Sequence, residues 1–294
     1  MRVVDAHQHF WEQAIFDGVK FSSEQEEAVM RHNRRPQDLR PLLDAEGVQG
    51  TVLVMDFPPA LSTSYRALEL AQANSWIAAV VGWVDLADPD VGGVLDSLCH
   101  FPKFKGVRHL WELESDADWI LRPAVLRGLR ALARRNLAFD LLAKPHNWPY
   151  ISQVAAAIPD LRLVIDHIGK PVIRERQFCE WADMMRRAAE FPQVMAKLSG
   201  MITQADWEDW QPDDLRPYVT TTIELFGVDR VMFGSDWPVC LLAGSYGQVL
   251  AALRECLSDL TEAERSLVLG ANAQRFYGIA CVGGQEPDSQ EKHE

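Results

Sequence analysis

The sequence predicts a single α/β domain, a (β/α)8 TIM barrel, on three observations. Eight short runs rich in apolar and β-branched residues recur, and from the second onward they start about 30 residues apart, the length of a strand, a loop and a helix. The runs are apolar on both faces, as expected of parallel strands covered by helices. The chain has 294 residues, enough for one barrel, and lacks the Gly-x-Gly-x-x-Gly motif after the first run that favours the competing doubly wound sheet.

Each element has its own signal. The predicted strands are residues 2–7, 50–55, 79–84, 105–110, 137–143, 162–168, 194–200 and 230–236. Residues 36–46 are predicted to be helical because they begin with proline and end before glycine, and residues 121–136 because their apolar positions share one face. Thr261 and Glu264 form a capping box that opens a last helix.

Two segments depart from this regular alternation of strands and helices. The first connection, residues 10–35, is polar, charged and too long for an ordinary barrel loop, so we expect it to fold over the active site. The last segment, residues 281–294, is polar and is expected to be a flexible tail. Residues 1–280 are therefore predicted to form the barrel domain.

The composition excludes several classes of function. Lys and Arg number 29 against 42 Asp and Glu, a formal charge of −13, which disfavours both nucleic acid and anionic membranes as partners. No apolar run is long enough for a transmembrane helix, and the N-terminus lacks the apolar region of a signal peptide. The five scattered cysteines are typical of free thiols in a reducing compartment. We expect a cytoplasmic protein.

Polar side chains end several predicted strands, where barrels of this class carry their active sites. His7 and His9 lie two residues apart on the first strand and so face the same way, which suits a divalent metal or an oxyanion. His167 follows the sixth strand. Asp236 follows the eighth strand beside the bulky Trp237, where desolvation is expected to raise its pKa, as a general base requires.

Other strand ends supply candidate substrate contacts. Arg108 and Lys197 are predicted to hold a carbonyl or carboxylate oxygen. Three of the ten tryptophans lie just past strand ends and offer flat walls to a sugar-like ring: Trp111, Trp148 and Trp237. The same loops add His109, Lys144 and His146 to the predicted contacts. By contrast, Lys170 and Arg174 are expected to be solvated loop residues.

Five segments together carry a resemblance to a known family: VVDAHQHFW, KGVRH, DHIGKP, KLSG and MFGSDWPVC. They resemble the amidohydrolase superfamily, and more narrowly its sugar-lactonase branch. The resemblance implies a barrel that hydrolyses an aldonolactone or a similar small cyclic ester to the hydroxy acid. His7 and His9 match the histidine pair of the first strand, His167 the histidine of the sixth, and Asp236 the catalytic aspartate of the eighth.

The resemblance leaves the metal and the reaction open. Two-metal relatives carry a carboxylated lysine on the fourth strand and a histidine on the fifth, and the corresponding positions here are Arg108-His109 and Asp140, so no binuclear centre is expected. One Zn²⁺ on His7, His9 and Asp236, with His167 as a further ligand, and metal-independent catalysis both stay open.

The predicted partner is a small-molecule lactone, with Asp236 as base toward water and His167 as a proton donor to the leaving oxygen. The alternative reaction on the same fold is that of a pyrone or muconolactone hydrolase, or of a Zn-dependent decarboxylase of aromatic-degradation intermediates. The particular lactone and the oligomeric state stay open.

Overall fold

Eight parallel strands form one sheet in chain order in the computed structural model, which describes residues 2–55 and 57–279. The strands are β1 Val3–Gln8, β2 Val48–Val54, β3 Ile77–Gly82, β4 Phe104–His109, β5 Ala138–Leu141, β6 Arg162–Ile165, β7 Val194–Leu198 and β8 Val231–Phe233. The last strand returns to the first, because the Asp236 amide donates to the His7 carbonyl at 2.8 Å and Gln8 bridges Trp237 in parallel. The predicted (β/α)8 barrel is confirmed.

Helices cover the outside of the sheet. They are α1 Glu24–Met30, α2 Pro36–Glu46, α3 Leu61–Ala73, α4 Val91–Cys99, α5 Pro123–Ala133, α6 Trp148–Ala157, α7 Cys179–Ala189, α8 Pro212–Phe226, α9 Tyr246–Cys256, α10 Glu262–Ser266 and α11 Asn272–Tyr277. The predicted helix at 36–46 is confirmed, and so is the capping box, in which the Thr261 side chain accepts from the Glu264 amide at the start of α10. Within the described part of the chain, no helix is long and apolar enough to cross a membrane.

Several predicted strands end earlier than the apolar runs suggest. The sixth was expected to reach residue 168, but β6 ends at Ile165 because residues 166–169 form a tight turn in which His167 has a φ of 54°. The eighth was expected to reach 236, but β8 ends at Phe233, and Asp236 has a φ of 57°. These left-handed residues turn the chain at the strand ends, so period-2 alternation no longer predicts where their side chains point.

The barrel interior changes from apolar to charged along the strands. Small and medium apolar residues fill its lower part, among them Val52, Val164 and Ala138. Charged groups lie two residues further along the same face of the strands. Asp140 comes two residues after Ala138, and Lys197 comes two residues after Met195, so each pair faces the barrel interior. The opposite faces of the strands pack against the helices in the main core.

The first connection reaches the mouth of the barrel, as predicted. Trp11 pairs with Arg34 through two backbone hydrogen bonds of 2.8 and 3.0 Å, which closes the connection into a loop. Phe16 and Val19 of this loop line the cavity described below. The predicted tail, residues 281–294, lies outside the described residues.

Candidate active site

The ends of β1 and β8 bring two imidazoles and a carboxylate together. His7 Nε2 lies 3.2 Å from His9 Nε2 and 3.8 Å from Asp236 Oδ1, and His9 Nε2 lies 3.3 Å from the same carboxylate oxygen. All three residues are buried. His167, from the turn after β6, approaches this group with its Nε2 at 3.9 Å from Asp236 Oδ1.

Hydrogen bonds orient both imidazoles of the first strand. His9 Nδ1 lies 2.9 Å from the Val54 carbonyl, which can only accept, so Nδ1 carries the proton and Nε2 presents a lone pair to the cluster. His7 Nδ1 lies 3.1 Å from the Lys197 ammonium, which can only donate, and 3.2 Å from Asp166 Oδ1. Burial, followed by the charge of Lys197, holds the pKa of His7 well below its ordinary value, which favours the neutral ring.

This cluster fits a single divalent metal ion. Bonds of about 2.0–2.2 Å in a tetrahedral site place ligand atoms about 3.3–3.6 Å apart, close to the observed separations. The two Nε2 atoms face each other at 3.2 Å, which requires a cation or a proton between them, and the Val54 carbonyl at Nδ1 of His9 leaves the Nε2 lone pair of that ring free for a metal. A donor set of two histidines and one carboxylate is typical of catalytic zinc sites.

The prediction that desolvation raises the pKa of Asp236 is wrong. Burial does raise it, but the neighbouring His167 and the hydrogen bond and charge of His9 outweigh burial and hold the pKa of Asp236 below its ordinary value. Trp237 is buried next to Asp236, yet the carboxylate itself faces imidazoles rather than the indole. Asp236 is therefore ionised at neutral pH, the form in which it can accept a proton or bind a cation.

His167 is held from behind by the end of β7. Its Nδ1 lies 2.9 Å from the Ser199 hydroxyl, and its ring centre is 4.5 Å from that of His7. Gly200 makes this approach possible, because it has a φ of 61° and a Cβ there would come within 2.7 Å of His167 Nδ1. Burial lowers the pKa of His167 well below its ordinary value.

A buried charge network lies beneath the cluster. Lys197 Nζ donates to Asp140 at 2.6 Å and lies 2.9 Å from Asp166 and 3.1 Å from His7 Nδ1. Tyr277 also donates to Asp140, at 2.9 Å. Burial raises the pKa of Asp140 to about 6 against the opposing charge of Lys197. One ammonium thus contacts two carboxylates and the ring of His7 in the barrel interior.

A further buried carboxylate, Asp5, holds the turn that carries Asp236. Asp5 Oδ1 accepts from the Ser235 amide at 2.8 Å, and Oδ2 accepts from the Ser235 hydroxyl at 2.6 Å and from Tyr246 at 3.1 Å. Burial raises the pKa of Asp5 to about 6, with the bonds from Ser235 opposing it. The sequence signal for this residue was an acidic side chain inside the apolar first run.

A cavity of about 320 Å³ opens above the cluster. Its inner end is polar and contains His9, Arg108, His167 and Asp236. Arg108 is buried, its Nη1 lies 3.4 Å from His7 Nε2, its Nη2 donates to the Met55 carbonyl, and its Nε has no hydrogen-bond partner. The outer wall is mostly apolar and is formed by Phe16, Val19, Phe57, Leu110, Leu113, Leu142 and Val239.

The predicted substrate contacts fall into three groups. Arg108 lines the cavity. Four others lie in the interior, outside the cavity lining. Lys197 lies below the cavity, and Trp111 and Trp237 are buried in the core. The ring of His109 stacks on that of Trp119, with the ring centres 3.9 Å apart. Lys144, half-exposed, and His146, exposed, lie on the loop after β5, outside the cavity lining. Trp148 is buried and donates to the Gly169 carbonyl at 2.8 Å.

Sequence reasoning missed an ion pair on the cavity wall. Lys170, expected to be a solvated loop residue, lines the cavity and pairs with Glu112 at 2.6 Å. Arg174 fits the solvated expectation, since its side chain is exposed. The available signal for Lys170 was its position three residues after His167, in a turn where it too has a positive φ of 51°.

A histidine pair after the first strand, a histidine after the sixth and an aspartate after the eighth, at the carboxyl ends of a (β/α)8 barrel, define a class of barrel hydrolases. The chain belongs to the amidohydrolase family, whose model matches residues 4–279.

Solved and curated relatives agree with this assignment. The chain is 40% identical over 289 residues to L-fucono-1,5-lactonase of Burkholderia ambifaria, covering 96% of this chain and 98% of that protein. It is 33% identical to L-fucono-1,5-lactonase of Burkholderia multivorans, covering 94% and 96%. The crystal structure of an amidohydrolase from Burkholderia multivorans with bound zinc has a TM-score of 0.86 and 32% identity, covering 95% of this chain and all of that one.

Proposed function

We propose that this protein is a lactonase that hydrolyses a sugar lactone, in the class of the L-fucono-1,5-lactone on which its relatives act. The observation that carries the proposal is the similarity to L-fucono-1,5-lactonase, which runs through nearly the whole chain. The cavity supports it, because a carboxylate, two imidazoles and a guanidinium converge on its inner end.

Asp236 acts as the base in this proposal. Its ionised carboxylate takes a proton from a water molecule, whose oxygen bonds to the lactone carbonyl carbon. The bond between that carbon and the ring oxygen then breaks, and the ring oxygen receives a proton, so that water and lactone become a hydroxy acid. His167, with Nε2 3.9 Å from Asp236 Oδ1, is the candidate group through which the proton taken up by Asp236 reaches the ring oxygen.

Arg108 stabilises the negative charge that develops on the carbonyl oxygen. Its guanidinium is buried at the inner end of the cavity, where a fixed cation interacts more strongly with charge than it would in water. The Met55 carbonyl orients the group by accepting from Nη2. The charge is thus in place before the substrate arrives.

His7, His9 and Asp236 would hold the divalent ion that the cluster fits. Such an ion, when bound, supplies Lewis-acid polarisation of the carbonyl and lowers the pKa of water. The Val54 carbonyl keeps the imidazole of His9 in the tautomer whose Nε2 can bind the ion.

A pH-indicator assay on a panel of sugar lactones tests the proposal, with zinc content measured on the same sample. Acid release from L-fucono-1,5-lactone or a close stereoisomer, and its loss in Asp236→Asn, is the expected result. No acid release across the panel would refute it. Release of CO₂ from a hydroxybenzoate by the wild type would instead establish the decarboxylase alternative.

A further inference from the structure

All three of the large hydrophobic side chains that are exposed in the described part of the chain line one cavity. They are Val19, 37% exposed, Phe57, 42%, and Leu113, 63%, and the cavity is the one above the His–Asp cluster. Single exposed apolar residues are ordinary on a protein surface, but a contiguous apolar patch marks a binding site. Its position at the catalytic mouth makes the substrate its natural occupant.

These side chains come from separate loops that the barrel brings together. Val19 follows β1, Phe57 follows β2 and Leu113 follows β4. Behind them the wall continues inward through Phe16, Leu110, Leu142 and Val239. The cavity thus has exposed apolar side chains at its rim, less exposed apolar side chains behind them, and polar groups at the end next to the cluster.

The part of a ligand that lies against this wall gains more binding free energy from carbon than from hydroxyl groups. Hydroxyl groups set against it would lose water without gaining partners, which costs binding free energy. The charged groups on the wall are Glu112 and Lys170, and they already pair with each other at 2.6 Å. The cavity, at about 320 Å³, lies within the range of roughly 300–1,000 Å³ that holds drug-sized ligands, so it has room for more than one small ring.

We infer that the site also accepts lactones that carry an extended apolar substituent, an alkyl or aryl group of several carbons, on the ring carbon bonded to the ring oxygen. This inference rests on the proposed lactonase function. The carbonyl lies at the inner end near Arg108 and Asp236, and the substituent lies along the apolar wall toward Leu113. The bond that breaks is the same as for a sugar lactone.

A homologous series tests the inference. Specificity constants are measured for δ-valerolactone, δ-hexalactone, δ-octalactone and δ-decalactone, each divided by its own hydroxide-catalysed rate, with L-fucono-1,5-lactone as the reference substrate. Each methylene buried against the wall should raise kcat/KM about two- to fourfold, until the wall is covered. The variants Leu113→Asn and Val19→Thr keep side-chain size while adding polarity, and they should flatten this rise. Leu225→Gln, on the outer helix α8, should leave it unchanged.

The outcomes separate the two proposals. Hydrolysis of L-fucono-1,5-lactone with a flat or falling alkyl series overturns the inference and leaves the proposed function standing. Inactivity toward every sugar lactone and every alkyl lactone overturns both. A rise that persists in Leu113→Asn and Val19→Thr also overturns the inference, because it shows that the chain lies elsewhere than on this wall.

Discussion

Replacing Lys197 by methionine should destabilise the protein far more than the same replacement at Lys170. Each lysine donates to a carboxylate at 2.6 Å, Lys197 to Asp140 and Lys170 to Glu112. The difference is burial, since the Lys197 and Asp140 side chains are fully buried whereas Lys170 is 20% exposed. Methionine keeps most of the side-chain volume, so the comparison isolates the charge.

The magnitude follows from what the substitution leaves behind. Lys197→Met leaves two carboxylates, Asp140 and Asp166, in the barrel interior without their cation, and breaking a buried pair in this way costs about 3–5 kcal/mol. Unfolding entropy is about 2.1 cal/mol/K per residue, hence about 0.6 kcal/mol/K for 294 residues. The melting temperature should therefore fall by about 5–8 °C. Lys170→Met should lower the free energy of unfolding by only about 0–1 kcal/mol, so its melting temperature should fall by less than about 2 °C.

The stability that Lys197→Met loses relative to the wild type should also depend on pH. Burial already raises the pKa of Asp140 to about 6, so its contribution to stability is present below its unfolded pKa and is lost as the pH rises through 6. Without Lys197 the folded-state pKa of Asp140 rises further, and the pKa of Asp166, which the charge of Lys197 helps to hold below its ordinary value, rises as well, so the variant should lose more stability at pH 8 than at pH 5.

Differential scanning calorimetry of the wild type and both variants at the two pH values measures these effects. Equal shifts for the two lysines, or a Lys197→Met deficit that is larger at pH 5, would contradict the reasoning. If Lys197→Met does not fold at pH 8, its recovery at pH 5 still tests the sign.

Three further predictions concern the site itself. Asp236→Asn should lower kcat for lactone hydrolysis by about 10² or more, because the base is lost; a near-normal kcat would rule out this role. Wild-type protein dialysed against a chelator should bind one equivalent of Zn²⁺ in calorimetric titration, and His9→Ala should abolish it; unchanged binding would place the ion elsewhere. Burial raises the pKa of Asp5 to about 6, so its stabilising contribution disappears as the pH rises through 6. The melting temperature of the wild type should therefore fall more between pH 5 and pH 8 than that of Asp5→Asn. An equally steep fall in both proteins would exclude Asp5 as a source of this pH dependence.

Much of the architecture was predictable from local patterns. Apolar runs recurring at the length of a strand and a helix predicted eight parallel strands, and the sheet contains them in chain order. Because functional groups of such barrels gather at the carboxyl ends of the strands, residues that are distant in sequence could be assigned to one site. His7, His9, His167 and Asp236 do converge there.

Individual roles were less predictable. Lys197 ends a strand just as Arg108 does, yet it is enclosed by Asp140 and Asp166 while Arg108 borders the cavity. Lys170 follows a turn that looked solvated, yet Glu112 from another loop holds it on the cavity wall. In each case the deciding partner lies many residues away, and nothing in the local pattern identifies it.

The contrast between local pattern and distant partners also explains the lowered pKa of Asp236 and the apolar side chains at the rim of the cavity. Strand periodicity is a short-range property, so the order of the strands and the residues at their ends can be derived from the amino-acid sequence alone. The electrostatic environment of a carboxylate is a sum over groups from several strands, and here His167 and His9 outweigh the burial that its neighbour Trp237 suggested. The convergence of Val19, Phe57 and Leu113 on one cavity likewise exists only once the barrel has closed.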